Sequence, residues 1–174
     1  MAKFVLNAGH TLKGKGTGAV GFLNEGIEAR VIVDELKRRL EEKGHDVIVV
    51  NINEAESQME YLQAVVCVAN RHRDADAFIS IHLNAGGGRG CEAYTWKGRK
   101  HPLAVGVCDK LSKLGFRNRG VFDGSHLYVI KKTYVEATLI EVCFVDNKAD
   151  ADLYRKAGAK RIAQTIMRGI CDAY

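Results

Sequence analysis

The sequence predicts a single α/β domain: a twisted, mostly parallel but mixed sheet of about six strands with helices on both faces. Short apolar runs alternate with amphipathic stretches along the whole chain, and turn glycines such as Gly44 and Gly115 punctuate them. At 174 residues, 47% of them hydrophobic, the chain is long enough to bury one substantial core, so a single domain spanning 1–174 is expected.

Phe4 to Leu6 reads as the first strand. Asn24 reads as the N-cap of a helix whose apolar positions Ile27, Val31, Ile32, Leu36 and Leu40 recur at helical spacing, with Gly44 as its stop. His45 to Asn51 follows as a strand, and Tyr61 to about Arg73 as a helix with Leu62, Val65, Val66 and Ala69 on one face. Ala77 to Leu83 is a nearly all-apolar strand. Beyond the flexible Gly86-Gly87-Gly88-Arg89-Gly90 loop, Glu92 to Trp96 forms another. Pro102 suits the first turn of a helix ending near Leu114. Leu127 to Ile130 and Thr138 to Val142 read as the last two strands, and the chain closes in helices from about Ala149 to Tyr174.

Charge and cysteine usage narrow the function classes. The net charge of +5 is modest, and clusters such as Lys37-Arg38-Arg39 fit solvated faces or a weak attraction to polyanions. No interleaving of aromatic and basic residues marks a nucleic-acid groove, so no nucleic-acid partner is expected. The five cysteines are odd in number and lack a CxxC pair, which argues against a disulfide framework and for folding in a reducing compartment. The opening Met1-Ala2-Lys3-Phe4-Val5-Leu6 has no long apolar core, so neither an export signal nor membrane insertion is expected. No heptad pattern specifies an oligomer.

Three polar residues fall where strands end or helices begin, the places where an open α/β sheet presents its site. His10 ends the first strand, Glu25 opens the first long helix, and His82 interrupts the run Phe78-Ile79-Ser80-Ile81-His82-Leu83. Each has a bland alternative: Glu25 as a helix-dipole partner, His82 as a hydrogen-bonded core histidine. Together, two imidazoles and a carboxylate form a recurring catalytic zinc shell that leaves a fourth position for water, whose pKa falls to about 7 there. Glu141 ends the apolar run Ala137-Thr138-Leu139-Ile140, where an unpaired carboxylate is costly without a function.

The dispersed spacing is weak evidence alone. However, Val5-Leu6-Asn7-Ala8-Gly9-His10, the glycine-rich segment to Gly21, Asn24-Glu25, and Ala75 to Ala85 around Ser80-Ile81-His82-Leu83-Asn84 follow in a telling order. With Asn118-Arg119-Gly120, Leu127 to Ile130, and Leu139 to Phe144 followed by Asn147, nearly the whole chain resembles the zinc N-acetylmuramoyl-L-alanine amidases of the Amidase_3 family. The resemblance implies Zn2+ held by His10, Glu25 and His82, Glu141 as the catalytic carboxylate, and peptidoglycan as the substrate. The chain departs from the family at Asn7-Ala8, where Asp-Pro is usual, and at Val142-Cys143-Phe144, where Gly-Phe is usual after the glutamate.

Asn84 is a substrate contact or a loop cap. Arg119 grips the peptide stem's carboxylates or the glycan, or pairs with an acidic surface residue. Glu92 is a candidate for the groove beyond His82, and His126, just before the expected strand Leu127 to Ile130, is either a residue near the substrate or an ordinary loop histidine. Cys143 is a buried structural thiol, on the same face as Glu141 if the strand stays regular. The setting implied is a phage or prophage endolysin catalytic domain without a separate wall-binding module, made in the cytoplasm and acting on the wall after release. A zinc carboxypeptidase or aminopeptidase, and a non-catalytic wall-binding relative, share much of this signature.

Overall fold

A computed structural model describes residues 1–174. Its sheet is formed by β1 (Lys3–Ala8), β3 (Asp46–Val50), β5 (Ala77–Asn84), β6 (Cys91–Thr95), β7 (Asn118–Asp123) and β8 (Ala137–Phe144), in the order β3-β1-β5-β8-β6-β7. The first four strands in that order are parallel. β6 joins β8 antiparallel and carries β7 parallel to itself, so the sheet is mixed as expected. A small parallel pair, β2 (Lys13–Gly14) with β4 (Glu54–Ala55), stands apart from it.

The two faces are covered unequally. On one, α1 (Glu25–Glu42), α3 (Pro102–Ser112), α5 (Lys148–Ala157) and α6 (Ala159–Cys171) bury Phe4, Leu6, Ile79, Ile81 and Ile140 in a cluster of 34 residues. On the other, α2 (Gln58–Ala69) and the five-residue α4 (Tyr128–Lys132) cover Val5, Phe78 and Leu139 in a cluster of 13. Strand alternation sends every second residue to the thinner side, and two helices, one of them only five residues long, cannot roof it fully. A cleft therefore opens between α2 and α4.

Two expectations require correction. Leu127 to Ile130 is not a strand: Tyr128–Lys132 is helical, and Val129 and Ile130 insert into the smaller cluster. A short apolar run has no periodicity to tell strand from buried helix. The sheet position it was expected to fill belongs to Asn118–Asp123, an edge strand with no fully buried residue and hence no hydrophobic signal. Within α1, Ile27 and Val31 are about half exposed, while Ala29, Ile32, Val33, Leu36 and Leu40 form the inward stripe.

Candidate metal centre and active site

The parallel strands β1, β5 and β8 end at one edge, and there the thin side turns polar. Asn7 and Ser80 are neighbours in register, and the Ser80 hydroxyl donates to Asn7 Oδ1 at 2.8 Å. Asn7 Nδ2 donates to the carbonyl of Val50 at 2.8 Å, so the departure from the family's Asp-Pro becomes a buried, fully used amide. Past Ala8 the chain turns sharply, and His10 adopts φ 67°, a left-handed conformation that histidine visits uncommonly and that costs backbone strain. Gly9 permits the turn, since a Cβ there would sit 2.3 Å from the His82 ring.

Asn24 caps α1 by accepting from Ile27 N at 3.2 Å, which makes Glu25 the first helical residue and points its carboxylate inward, 4% exposed. Glu25 Oε1 lies 3.0 Å from both His10 Nε2 and His82 Nδ1. Glu25 Oε1 also accepts from Leu83 N at 3.2 Å, and Oε2 accepts from Ala19 N at 3.0 Å. The three sequence-selected side chains thus meet, with one ligand atom from each lying within 4.8 Å of the others. Donors on a tetrahedral zinc with bonds of about 2.1 Å stand about 3.4 Å apart, so small side-chain movements suffice to enclose an ion. His10 Nδ1 faces the Gly16 carbonyl at 3.1 Å, the outer contact that fixes a ligating imidazole's tautomer.

The electrostatics suit a cation. Burial pushes the Glu25 pKa up, but hydrogen bonds from His10 and His82 outweigh it and hold the carboxyl well below the usual range. Burial works against protonated His10, yet the bond to Glu25 and its charge leave this imidazole's pKa raised. For His82 burial wins and the pKa falls, favouring the neutral form in which imidazole binds metal.

Glu141 is the register partner of His82 on one side and of Glu92 on the other, so the three form one row across β5, β8 and β6. Glu141 Oε2 is buried with no hydrogen-bond partner. Burial first, then the charges of Glu25 and Glu92, push its carboxyl well above the ordinary range. An orphaned oxygen beside two imidazoles and a carboxylate is the group a cation and its attendant water would satisfy, and the donor set fits one divalent ion.

Glu92, 2% exposed, accepts from Asn84 Nδ2 at 2.7 Å, from the Tyr94 hydroxyl at 2.8 Å, and from Arg119 Nε. Of the two alternatives for Arg119, the ion pair is present, with a buried partner in place of a surface one, and Arg119 lies outside the cleft lining. Asn84 does line the cleft, while its Oδ1 also accepts from Ala85 N at 2.8 Å. The cleft has a volume of about 720 Å³ and is bordered by His10, His82, Tyr94, His126, Tyr128 and Glu141 among others. Cys143 does not share Glu141's face: a register shift between His82 and Asn84 adds a residue to β8, and Cys143 joins the larger core cluster as a buried thiol. The role of Glu92 as the hub of this network had no local motif to reveal it.

The family profile described as N-acetylmuramoyl-L-alanine amidase, Amidase_3, matches residues 4–172. An uncharacterized protein of Clostridium perfringens is 32% identical over 176 residues, covering 97% of this chain and 51% of its own length. The endolysin of Bacillus phage SPP1 is 30% identical over 167 residues, covering 90% of this chain and 60% of its own. Among solved structures, the catalytic domain of CD27L endolysin targeting Clostridia Difficile superposes with a TM-score of 0.91 at 29% identity, covering 99% of this chain and 98% of that one. This chain thus spans about half the length of the curated relatives it matches. The chain belongs to the N-acetylmuramoyl-L-alanine amidase family, Amidase_3.

Proposed function

We propose that this chain is a zinc-dependent amidase that hydrolyses the bond between N-acetylmuramic acid and L-alanine in bacterial peptidoglycan, as the catalytic part of a phage or prophage endolysin that reaches the wall after release from the cytoplasm. One observation carries the reading: His10, Glu25 and His82 converge beside the unpartnered Oε2 of Glu141, on the floor of a cleft in a chain of this family. His10, Glu25 and His82 would hold the zinc, which when bound supplies Lewis acidity, making water nucleophilic near neutral pH and withdrawing charge from a carbonyl oxygen.

The remaining chemistry belongs to the chain. Glu141 accepts a proton from the attacking water as the water oxygen bonds to the lactyl carbonyl carbon. It returns that proton to the L-alanine nitrogen as the C–N bond breaks, and the second proton of the water follows from the new carboxyl group to the amine, leaving a carboxylate on the muramoyl side and an ammonium on the peptide. Without a metal, burial and the charges of Glu25 and Glu92 hold the Glu141 carboxyl in its protonated form to higher pH than usual; a cation bound beside it would favour the ionised form that accepts the proton. Asn84 lines the same cleft as Glu141, its amide held by Glu92 and by Ala85 N, while Arg119 contributes by holding Glu92 and, through it, Asn84 and Tyr94. No helix is long and apolar enough to cross a membrane.

End-group analysis of purified walls provides the test. The proposal predicts new N-terminal L-alanine without new reducing sugar ends, and no release once a chelator has stripped the metal. New amino termini at other stem positions would indicate a peptidase, and an absence of any release a non-catalytic wall binder; either outcome sinks the amidase reading.

A further inference from the structure

Arg30 is a half-buried guanidinium with no carboxylate among its hydrogen-bond partners. Nε donates to Asn53 Oδ1 at 3.0 Å. One terminal nitrogen donates to the carbonyls of Gly26 at 2.8 Å and Gly9 at 3.4 Å, the other to those of His10 at 2.9 Å and Ile52 at 3.0 Å. All five N–H groups of the fork are used, and four of them end on backbone oxygens. Three separate pieces of chain meet there: the turn after β1, the first turn of α1, and the connection from β3 to β4.

The positions of those acceptors give the arrangement its meaning. His10 sits at φ 67°, so its conformation must be imposed by its surroundings. Its carbonyl and that of Gly9 turn toward the body of the protein, where Arg30 meets both. Gly26 directly follows Glu25, so the same guanidinium also grips the helical turn from which Glu25 projects. A charge taken partly out of water is tolerated when every donor is satisfied, and a planar fork spans several acceptors where an ammonium, a single point, cannot.

We propose that Arg30 is a positioning residue for the metal centre: by tying the His10 turn to the first turn of α1, it sets His10 and Glu25 at their 3.0 Å separation before a metal arrives. The inference rests on reading His10 and Glu25 as zinc ligands. A purely architectural arginine would matter to the folding of the metal-free protein, whereas a positioning arginine matters most to metal affinity.

The zinc dissociation constant of the metal-free protein, measured by competition with a chromophoric chelator, separates the two when the melting temperature of the same samples is recorded alongside. Arg30→Lys keeps the charge and the stem but not the fork. It is expected to fold with a melting temperature near that of the wild type, and to bind zinc about 10- to 100-fold more weakly, as when the outer contacts of a metal ligand are lost. Asn53→Ala leaves the bonds to Gly9, His10 and Gly26 in place and is expected to bind zinc as the wild type does. The assignment is overturned if R30K binds zinc like the wild type, if R30K fails to fold, or if N53A weakens zinc as much as R30K does. When the wild type binds zinc and liberates N-terminal alanine, those outcomes count against Arg30 alone. A wild type that takes up no zinc overturns the ligand reading as well as this inference.

Discussion

Glu141 concentrates the conflict between stability and chemistry in this protein. One oxygen of its carboxyl is buried without a partner, and Glu25 and Glu92 add like charge. In the metal-free protein the folded carboxyl therefore keeps its proton to higher pH than the unfolded chain's does. The native state then binds more protons, and stability falls as pH rises from the ordinary carboxylate range upward through the raised folded pKa. Glu141→Gln removes that loss. Thermal unfolding of the metal-free proteins is expected to show E141Q more stable than wild type at pH 7, by about 1–3 kcal/mol, with the difference vanishing toward acid pH. The same variant is expected to lose about 10²- to 10⁴-fold in turnover while still taking up zinc. Equal stability at both pH values would contradict the burial argument, and undiminished turnover would contradict the proton-carrier role.

At the scale of elements, a turn, a helix start and a strand each carry one ligand, and contacts between elements hold them in place. Asp150, near the start of α5 and 1% exposed, accepts from Gly90 N at 2.7 Å and from Phe144 N at 3.0 Å, joining the loop before β6 to the bulged end of β8. Replacing it by alanine leaves two buried amides unpaired, and D150A is expected to lose about 1–3 kcal/mol in urea unfolding. An unchanged midpoint would show that the bulge holds itself. The elements also mark where the sequence was readable. The central strands and long helices announced themselves by apolar period, as in Phe4 to Leu6, Ala77 to Leu83, and the α1 stripe from Ile32 to Leu40. The edge strand Asn118–Asp123 did not, because it buries too little to need apolar residues. Leu127 to Ile130 misled, because a run that short satisfies a strand and a docked helical turn equally well. The β8 bulge was invisible, since an inserted residue changes which face a side chain takes without changing composition.

Over the whole molecule, the fold gathers residues that are far apart in sequence. His10, Glu25 and His82 come from the turn after β1, the start of α1 and the C-terminal part of β5, and no local motif joins them. Their identity was legible through resemblance to a family and through the oddity of His82 within an apolar strand, as Glu141 was in another. The supporting groups were not, because the Glu92 hub with Asn84, Tyr94 and Arg119, and the Arg30 fork on four carbonyls, depend on distances that only the folded chain sets. The thin α2–α4 layer explains why the cleft opens on this side: the opposite face is closed by four helices.

The central claim is that these three side chains form one metal site, and metal content measures it most directly. Elemental analysis of protein equilibrated with zinc and freed of excess is expected to find one zinc per chain in the wild type. Only a small fraction of that should remain in each of His10→Ala, Glu25→Ala and His82→Ala. Full zinc in any of the three folded variants, or none in the wild type, would contradict the account.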